Sequence, residues 1–257
     1  MKAGDVIGLV EKFAPPELAE EWDNVGWQIA TPGREVASVL LALDVTARVV
    51  DEAVHLRSNL IISHHPLFFR PLTRLDMDSY SGRLIKRLLA EDIGVYAAHT
   101  NLDVVPNGVS DALARMMGLE DVRCLGSRSL DRMEVGWGRA GRVPGGISTQ
   151  QLVQRVRSAL GTPRARVTPG DRDVHQWIAV SGGSGSHFVG DPELSDVTLY
   201  LTGEIKYHEA QLASYRGLTV IEAGHFYSER PGLERLAQAL GDAVEVHVSE
   251  MNTSPFD

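Results

Sequence analysis

Histidine and carboxylate side chains follow four short apolar runs of this sequence. Residues 39–43 precede Asp44, residues 59–63 precede His64 and His65, residues 94–98 precede His99 with Asp103 four residues on, and residues 218–223 precede His225 with Glu229 four residues on. Imidazole and carboxylate groups suit Zn, Mn, Fe, Co and Ni, and the absence of thiolates among them disfavours a purely structural zinc site. The pattern therefore predicts a functional metal site.

The number of these ligands predicts two ions rather than one. The set exceeds what a single four-coordinate ion requires, and carboxylates can bridge two ions about 3.5–4 Å apart. Adjacent histidines inside a strand would face opposite ways, but Pro66 ends the strand directly after His65, so both rings can turn toward one opening. Asp44 has a second interpretation, as a cap for the helix that follows.

Apolar runs that alternate with amphipathic segments must position these side chains. Residues 39–43, 59–63 and 94–98 are typical of buried strands, and residues 48–56, 82–91 and 109–117 have helical periodicity. This alternation predicts an α/β fold with a mainly parallel sheet covered by helices. Ligands bind outside the carboxyl ends of such strands, so we expect three or four of the clusters at the same edge of one sheet.

The middle of the chain differs in texture and indicates a second domain. Residues 126–147 are rich in glycine and predict strands and turns. Ser148 then caps a helix that runs to Leu160, and Gly161 ends it. The elements predicted further on are strands at 177–181, 197–201, 218–223 and 243–248, helices at 205–215 and 231–240, and a loose tail at 252–257. We expect a smaller α/β domain over residues 125–221, inserted into a metal-binding domain of residues 1–124 plus 222–257.

Three further segments carry polar or glycine-rich patterns. The SGGSGS segment 181–186 could cradle a phosphate, although no Lys-Ser/Thr follows it, and a tight turn is the favoured interpretation. Glu204 and His208 lie in a polar run after a strand, where they could act as acid–base groups or simply form a solvated first helical turn. Residues 22–26 predict a structural turn with a buried Trp22.

Composition excludes several classes of protein. With 43% apolar and 23% charged residues the chain has a globular composition, and it contains no apolar run of about 18 residues and no secretory leader pattern. One cysteine among 257 residues excludes a disulfide framework, so a cytoplasmic location is expected. The net charge of −9 disfavours a nucleic-acid surface and gives no reason to expect a membrane partner. A small anionic substrate held by bound cations stays compatible with it.

Several motifs together resemble one known family. The segments are EWDNVGWQI (21–29), ALDVT (42–46), NLIISHHPLFF (59–69), VYAAHTNLDVVPNGVSDALA (95–114), GGSG (182–185), TGEIKYHEAQ (202–211) and EAGHFYSE (222–229). They resemble the Nif-three-like dinuclear metal proteins, also known as GTP cyclohydrolase 1 type 2 homologues, over nearly the whole chain. The resemblance implies two α/β parts, one inserted in the other. It also implies a hexamer built as a trimer of dimers and two divalent ions per chain. The ligands that it implies are His64, His65, Asp103, His225 and Glu229, with His99 beside them.

The function that follows is that of a metal-dependent hydrolase. One or both ions would activate a water, and ring opening of a nucleotide such as GTP is chemistry of this kind. The ligands by themselves are equally compatible with a metal-binding assembly without turnover, such as a metal store, an insertase or a regulatory scaffold. Metal-dependent turnover of a nucleotide or phosphoester would distinguish the two.

Overall fold

The computed structural model describes residues 1–130 and 133–256. Asp131 and Arg132, which belong to the predicted strand-and-turn stretch, and Asp257, in the predicted loose tail, lie outside the described residues. The chain forms two compact units, of which the first comprises Met1–Leu102 and Leu233–Thr253, and the second comprises Asp103–Gly232 and the residues from Ser254 on. The sequence indicated domain boundaries near residues 124 and 221, and that division stays a prediction.

Helices and strands alternate along most of the chain. The helices are α1 (Ala3–Phe13), α2 (Ala47–His55), α3 (Tyr80–Ala90), α4 (Thr100–Val104), α5 (Val109–Met116), α6 (Thr149–Leu160), α7 (Tyr207–Tyr215) and α8 (His225–Leu240). The strands are β1 (Gly26–Ile29), β2 (Ser38–Ala42), β3 (Leu60–Ser63), β4 (Gly94–Ala97), β5 (Glu120–Leu125), β6 (Arg128–Leu130), β7 (Met133–Val135), β8 (Gly138–Ser148), β9 (Arg166–Thr168), β10 (Val174–Val180), β11 (Leu199–Thr202), β12 (Thr219–Glu222) and β13 (Glu245–Val248). Short 3₁₀ turns lie at Pro16–Leu18, Ser186–Gly190, Pro192–Leu194 and Gly241–Ala243.

The sheet of the first unit has five strands in the order β1-β4-β3-β2-β13. Its pairings are parallel except for β1, which runs antiparallel to β4. The register pairs Ala42 with Ser63 and Ser63 with Ala97, so β2, β3 and β4 end side by side. The mainly parallel α/β fold predicted from the sequence is confirmed, and the alignment of strand ends brings the residues that follow them to one edge.

Two amphipathic helices cover one face of this sheet. Val49, Val50 and Ala53 of α2 are buried in one cluster with Leu84 and Leu88 of α3, against side chains from the strands. The N-cap of α2 is Thr46, whose hydroxyl accepts from the Val49 amide, and not Asp44. The capping interpretation of Asp44 was wrong, because the Asp44 carboxylate is engaged by a histidine instead.

The sheet of the second unit has six strands in the order β5-β8-β10-β11-β12-β9. Its central strands β10, β11 and β12 are parallel, whereas β5, β8 and β9 join antiparallel, and β6 pairs with β7 in a separate two-stranded sheet. Three of the clusters follow strands of the first sheet, as expected, but the fourth does not, since β12, which precedes His225, belongs to this second sheet. Buried parallel strands have the same apolar pattern in any sheet, so the pattern could not assign β12.

Both faces of the second sheet are covered. Leu113 of α5 and Leu152 and Val156 of α6 are buried on one side in a cluster with strand residues. Phe188 and Ala213 are buried in a second cluster. The predicted signals of α6 are confirmed, because Ser148 forms a capping box with Gln151, and Gly161 takes the left-handed conformation after the helix.

Two predictions about the end of the chain were wrong. Helix α8 begins at His225 rather than at Pro231, which lies inside it; proline removes one backbone donor there but does not prevent the helix. The predicted loose tail is anchored in part, because the Thr253 hydroxyl donates to Asp44. Among the described residues, no helix has the length and apolar character needed to cross a membrane.

Candidate metal centre

Three histidines lie together where β3 and β4 end in the first unit. The ring centroids of His64 and His65 are 5.1 Å apart, those of His64 and His99 are 5.1 Å apart, and those of His65 and His99 are 5.4 Å apart. One ring nitrogen of each histidine lies within 4.8 Å of those of the other two. His64 and His99 are buried and His65 is half-buried. The sequence correctly placed these rings together.

The Nδ1 atoms of the doublet face fixed oxygen acceptors. Nδ1 of His64 lies 3.0 Å from the carbonyl oxygen of Ala98, and Nδ1 of His65 lies 2.8 Å from Oδ1 of Asp44. A carbonyl or carboxylate oxygen only accepts, so each Nδ1 carries the proton and donates. The lone pair then resides on Nε2 of both rings, which is the form of histidine that binds a metal ion.

His99 is held in the same way by a residue that the sequence analysis assigned to a structural turn. Its Nδ1 lies 2.8 Å from Oδ1 of Asp23, whose side chain is fully buried. Burial by itself raises the pKa of the Asp23 carboxyl, but hydrogen bonds from His99 and Thr100 outweigh it and lower the pKa to about 2. Asp23 is therefore ionised at neutral pH and accepts from His99. A carboxylate in the quoted EWDNVG motif was the available signal for it.

Aromatic side chains flank His99. The rings of Trp22 and Phe69 meet it edge-on, with centroid distances of 6.1 and 5.7 Å. Trp22 is 63% exposed and Phe69 is 54% exposed, so the predicted burial of Trp22 was wrong. In this turn the Asp23 carboxylate takes the buried position, and its neighbour Trp22 points to solvent.

The second unit also has parallel strands side by side, but different side chains follow them. The parallel strands β11 and β12 are followed by Glu204 and His225, and His225 opens α8. Nε2 of His225 lies 3.0 Å from Oε1 of Glu229, one helical turn on, and its Nδ1 lies 3.1 Å from Oε1 of Glu204. Glu229 is 4% exposed. His225 and Glu229 are thus close enough to bind one ion together, while Glu204 orients the ring.

The glycine segment after β10 supports this pair. Its amides point inward, with Gly183 donating to the Ser228 hydroxyl and Gly185 to the Thr202 hydroxyl, which favours the tight turn over a phosphate cradle. Gly183 has a φ of +55°, and a Cβ atom there would lie 2.0 Å from Oε1 of Glu229. Glycine is required at this position because the backbone passes directly against the carboxylate.

The remaining predicted residues lie in different surroundings. Asp103 is buried within the short helix α4. His208 is exposed near the start of α7, where its Nδ1 lies 3.1 Å from Oε1 of Gln211. The acid–base roles of Glu204 and His208 and the complete ligand set stay predictions.

The donor groups fit a divalent metal ion. The first unit contributes imidazoles whose Nδ1 atoms are engaged and whose Nε2 atoms carry lone pairs, and the second contributes an imidazole beside a buried carboxylate. Nitrogen and oxygen donors of these kinds suit Zn, Mn, Fe, Co or Ni. Each unit thus contains buried groups that could hold a metal ion.

Comparisons with known proteins extend over the entire chain. The model of the Duf34/NIF3 (NGG1p interacting factor 3) family matches residues 1–255. The GTP cyclohydrolase 1 type 2 homolog of Nostoc is 38% identical over 245 residues, covering 93% of this chain and 91% of its own. That of Clostridium perfringens is 34% identical over 261 residues, covering 100% and 99%. The crystal structure of a Bacillus cereus protein related to NIF3 matches with a TM-score of 0.92 and 26% identity, covering 100% of this chain and 99% of that one.

These matches confirm the resemblance that the motifs indicated. The matched residues include the glycine segment 181–186, and they include the strand ends and the first turn of α8, where candidate ligands lie. The chain belongs to the Duf34/NIF3 family.

Proposed function

We propose that this protein binds two divalent metal ions and is a metal-dependent hydrolase. The proposed ligands are His64, His65, His99, Asp103, His225 and Glu229. The observation that carries the proposal is the fixed orientation of the imidazoles, since the Nδ1 atoms of His64, His65, His99 and His225 all face an oxygen acceptor. A histidine that binds a metal ion almost always donates from its other ring nitrogen to a carboxylate, a carbonyl or water, and these four histidines have that arrangement.

The chemistry expected of the site is hydrolysis. A divalent ion held by these residues supplies a Lewis acid that lowers the pKa of water toward about 7. The Asp23 and Asp44 carboxylates accept from Nδ1 of His99 and His65 and so leave Nε2 of each ring as the atom that would bind an ion, and Glu204 faces Nδ1 of His225 in the same way. We propose that Glu204 also accepts a proton during turnover, because it is 45% exposed and can exchange protons with water. His208 is proposed as a second proton carrier from its place in the polar TGEIKYHE run.

The proposed substrate is a small anion, with a nucleotide as the favoured class. Relatives of this chain bear the name GTP cyclohydrolase 1 type 2 homolog. Trp22 and Phe69 support a ring-bearing substrate, because both are exposed aromatic side chains beside His99, and bases stack on such rings. A cytoplasmic hexamer, organised as a trimer of dimers, is proposed from the family resemblance.

The first test is the metal content of protein purified without chelator. We expect about two ions per chain in the wild type and a loss of at least one ion in His65→Ala and in Glu229→Gln, because each change removes a ligand. The matched control is His247→Ala, which removes a partly exposed histidine paired with Glu245 and should keep both ions. Elemental analysis, with the assembly mass as a check on folding, measures all four proteins.

Turnover is then measured with nucleotides and phosphoesters in the presence of the identified metal. The double variant His65→Ala, Glu229→Gln should lose turnover by more than about 10³-fold, since the Lewis acid is lost. Two bound ions without turnover of any of these compounds would support the non-catalytic alternative of a metal store, insertase or scaffold. A wild-type protein that takes up none of Zn, Mn, Fe, Co or Ni would refute the metal centre itself.

A further inference from the structure

We propose that Asp23 is a positioning residue of the metal centre, which acts by fixing the tautomer and orientation of His99. This inference rests on the proposed function, in which His99 is a ligand. Asp23 is 76 positions away from His99 in the sequence and lies in the turn before β1. Neither the apolar pattern nor the ligand motifs assign it a role.

The carboxylate of Asp23 uses both oxygens. Oδ1 accepts from Nδ1 of His99 at 2.8 Å and from the amide of Asn24 at 2.8 Å. Oδ2 accepts from the amide of Thr100 at 3.0 Å and from the Thr100 hydroxyl. The Thr100 hydroxyl in turn accepts from the amide of Glu20 at 3.0 Å. One side chain therefore connects the turn to His99 and to the first residue of α4.

The turn that carries Asp23 is itself fixed. The Asn24 side-chain amide donates to the carbonyl of Phe68 at 2.5 Å, and the Gln28 side-chain amide donates to the carbonyl of Asn24 at 2.8 Å. Gln28 also accepts from the amide of Phe68 at 3.1 Å. These bonds hold the turn against the segment that follows His64 and His65, so Asp23 is placed by the tertiary fold and not by a flexible loop.

Burial distinguishes Asp23 from the other carboxylate that holds a histidine of the first unit. The Asp44 side chain is 38% exposed, whereas that of Asp23 is fully buried, and His99 is 11% exposed. If the Asp44 carboxylate were lost, water could replace it as the acceptor for His65. No water can replace a fully buried acceptor without movement of the turn, so we expect the larger effect on metal binding from Asp23.

An amide in place of the carboxylate reverses the hydrogen bond with little change in shape. In Asp23→Asn the side-chain oxygen can still accept from Thr100, while the NH₂ group replaces Oδ1, faces Nδ1 of His99 and loses the bond from the Asn24 amide. A donor at that position favours the tautomer with the proton on Nε2, which removes the lone pair required for a metal ion. The expected result is a 10–100-fold weaker affinity for Zn²⁺, the range typical when a partner of a ligating histidine is lost.

A double-mutant cycle tests whether Asp23 acts through His99. Zn²⁺ and Co²⁺ affinities are measured by chelator competition for wild type, Asp23→Asn, His99→Ala and the double variant. If Asp23 acts through His99, Asp23→Asn weakens binding in the wild type but changes it by less than about 3-fold in the His99→Ala background. The absorption spectrum of bound Co²⁺ should change in Asp23→Asn, because the ligand geometry changes. Asp111→Asn is the matched control, since it removes a carboxylate hydrogen-bonded to Arg139 and should leave both readouts unchanged.

An unchanged affinity and Co²⁺ spectrum in folded Asp23→Asn would overturn the proposal. An equal loss in the His99→Ala background would also overturn it, because Asp23 would then act on the fold alone. The nitrogen chemical shifts of His99 in the metal-free wild type decide the matter if Asp23→Asn does not fold. A proton on Nδ1 supports the proposal and a proton on Nε2 refutes it. That measurement needs no bound metal, so it separates this inference from failure of the proposed function.

Discussion

Both units contain parallel strands side by side, but different candidate ligands follow the strand ends. In the first unit, β3 and β4 are followed by the imidazoles of His64, His65 and His99, while the nearby carboxylates of Asp23 and Asp44 serve as hydrogen-bond acceptors. In the second unit, β12 is followed by His225 with the buried Glu229 one turn on. Imidazoles thus predominate among the candidate ligands of the first unit, and a buried carboxylate lies beside the imidazole in the second.

The two units also differ in how deeply each histidine and the carboxylate that faces it are buried. His99 and Asp23 are 11% and 0% exposed, whereas His225 and Glu204 are 32% and 45% exposed. In the second unit the backbone itself packs against a candidate ligand, because Gly183 lies directly against Glu229. The comparison teaches that side chains at the ends of parallel strands can be fixed either through buried carboxylates or through a close backbone approach.

The largest effect on stability is expected from a change at Gly183 in the second unit. In Gly183→Ala the new methyl group would overlap Glu229, and the alanine would have to adopt the left-handed conformation that the glycine has now. We therefore expect a loss of about 2–4 kcal/mol of stability together with lower metal content. Gly145→Ala is the matched control, since Gly145 has a φ of +75° but open space around its Cα. That control should lose only about 1 kcal/mol and keep its metal. Equal losses in both variants, by chemical denaturation and elemental analysis, would show that the contact with Glu229 is unimportant.

An effect of intermediate size is expected from the carboxylates that face Nδ1 of a histidine in each unit. Asp44→Asn and Glu204→Gln each exchange a carboxylate that faces Nδ1 of a histidine for an amide. We expect about 10-fold weaker Zn²⁺ binding from Asp44→Asn and a smaller change from Glu204→Gln, because the more exposed Glu204 is more easily replaced by water. Chelator competition measures both affinities. A larger loss from Glu204→Gln would contradict the expectation that carboxylates fix the histidine of the first unit more firmly than that of the second.

The smallest effect is expected from a histidine of the second unit that lies at the amino end of its strand. His175, near the start of β10, is fully buried between the hydroxyls of Thr149 and Thr198. Burial lowers the pKa of His175 below its usual 6.5, although nearby Asp173 opposes this. The unfolded chain therefore binds a proton that the folded chain does not, and stability falls as the pH drops below 6.5.

The measurement for His175 is the free energy of unfolding between pH 7.5 and 5. We expect this histidine to contribute a slope of up to about 1.4 kcal/mol per pH unit. The slope should become shallower in His175→Gln, with a remainder from His187, whose pKa is also lowered by burial. An unchanged slope in the variant would mean that hydroxyl partners do not keep this buried histidine neutral, and the contrast with the carboxylate-held histidines would be lost.

The sequence by itself determined the local elements and the types of side chain that follow the strands. A helical stripe predicted α2, a cap and a terminal glycine predicted α6, and alternation with short apolar runs predicted the parallel strands, because these features depend on neighbouring residues. The placement of His64, His65 and His99 at one sheet edge followed from the same pattern, since parallel strands end together.

Only the tertiary structure decided which groups surround those ligands. The sequence could not assign β12 to the second sheet, because buried strands are alike in pattern whichever partner they pair with. It could not identify Asp23 as the acceptor for His99, place Asp44 on His65 or bring the end of the chain back to Asp44, because those contacts join residues far apart in the chain. Such contacts form where the folded backbone brings the groups within hydrogen-bond distance, and that proximity is a property of the packed structure and not of the order of residues.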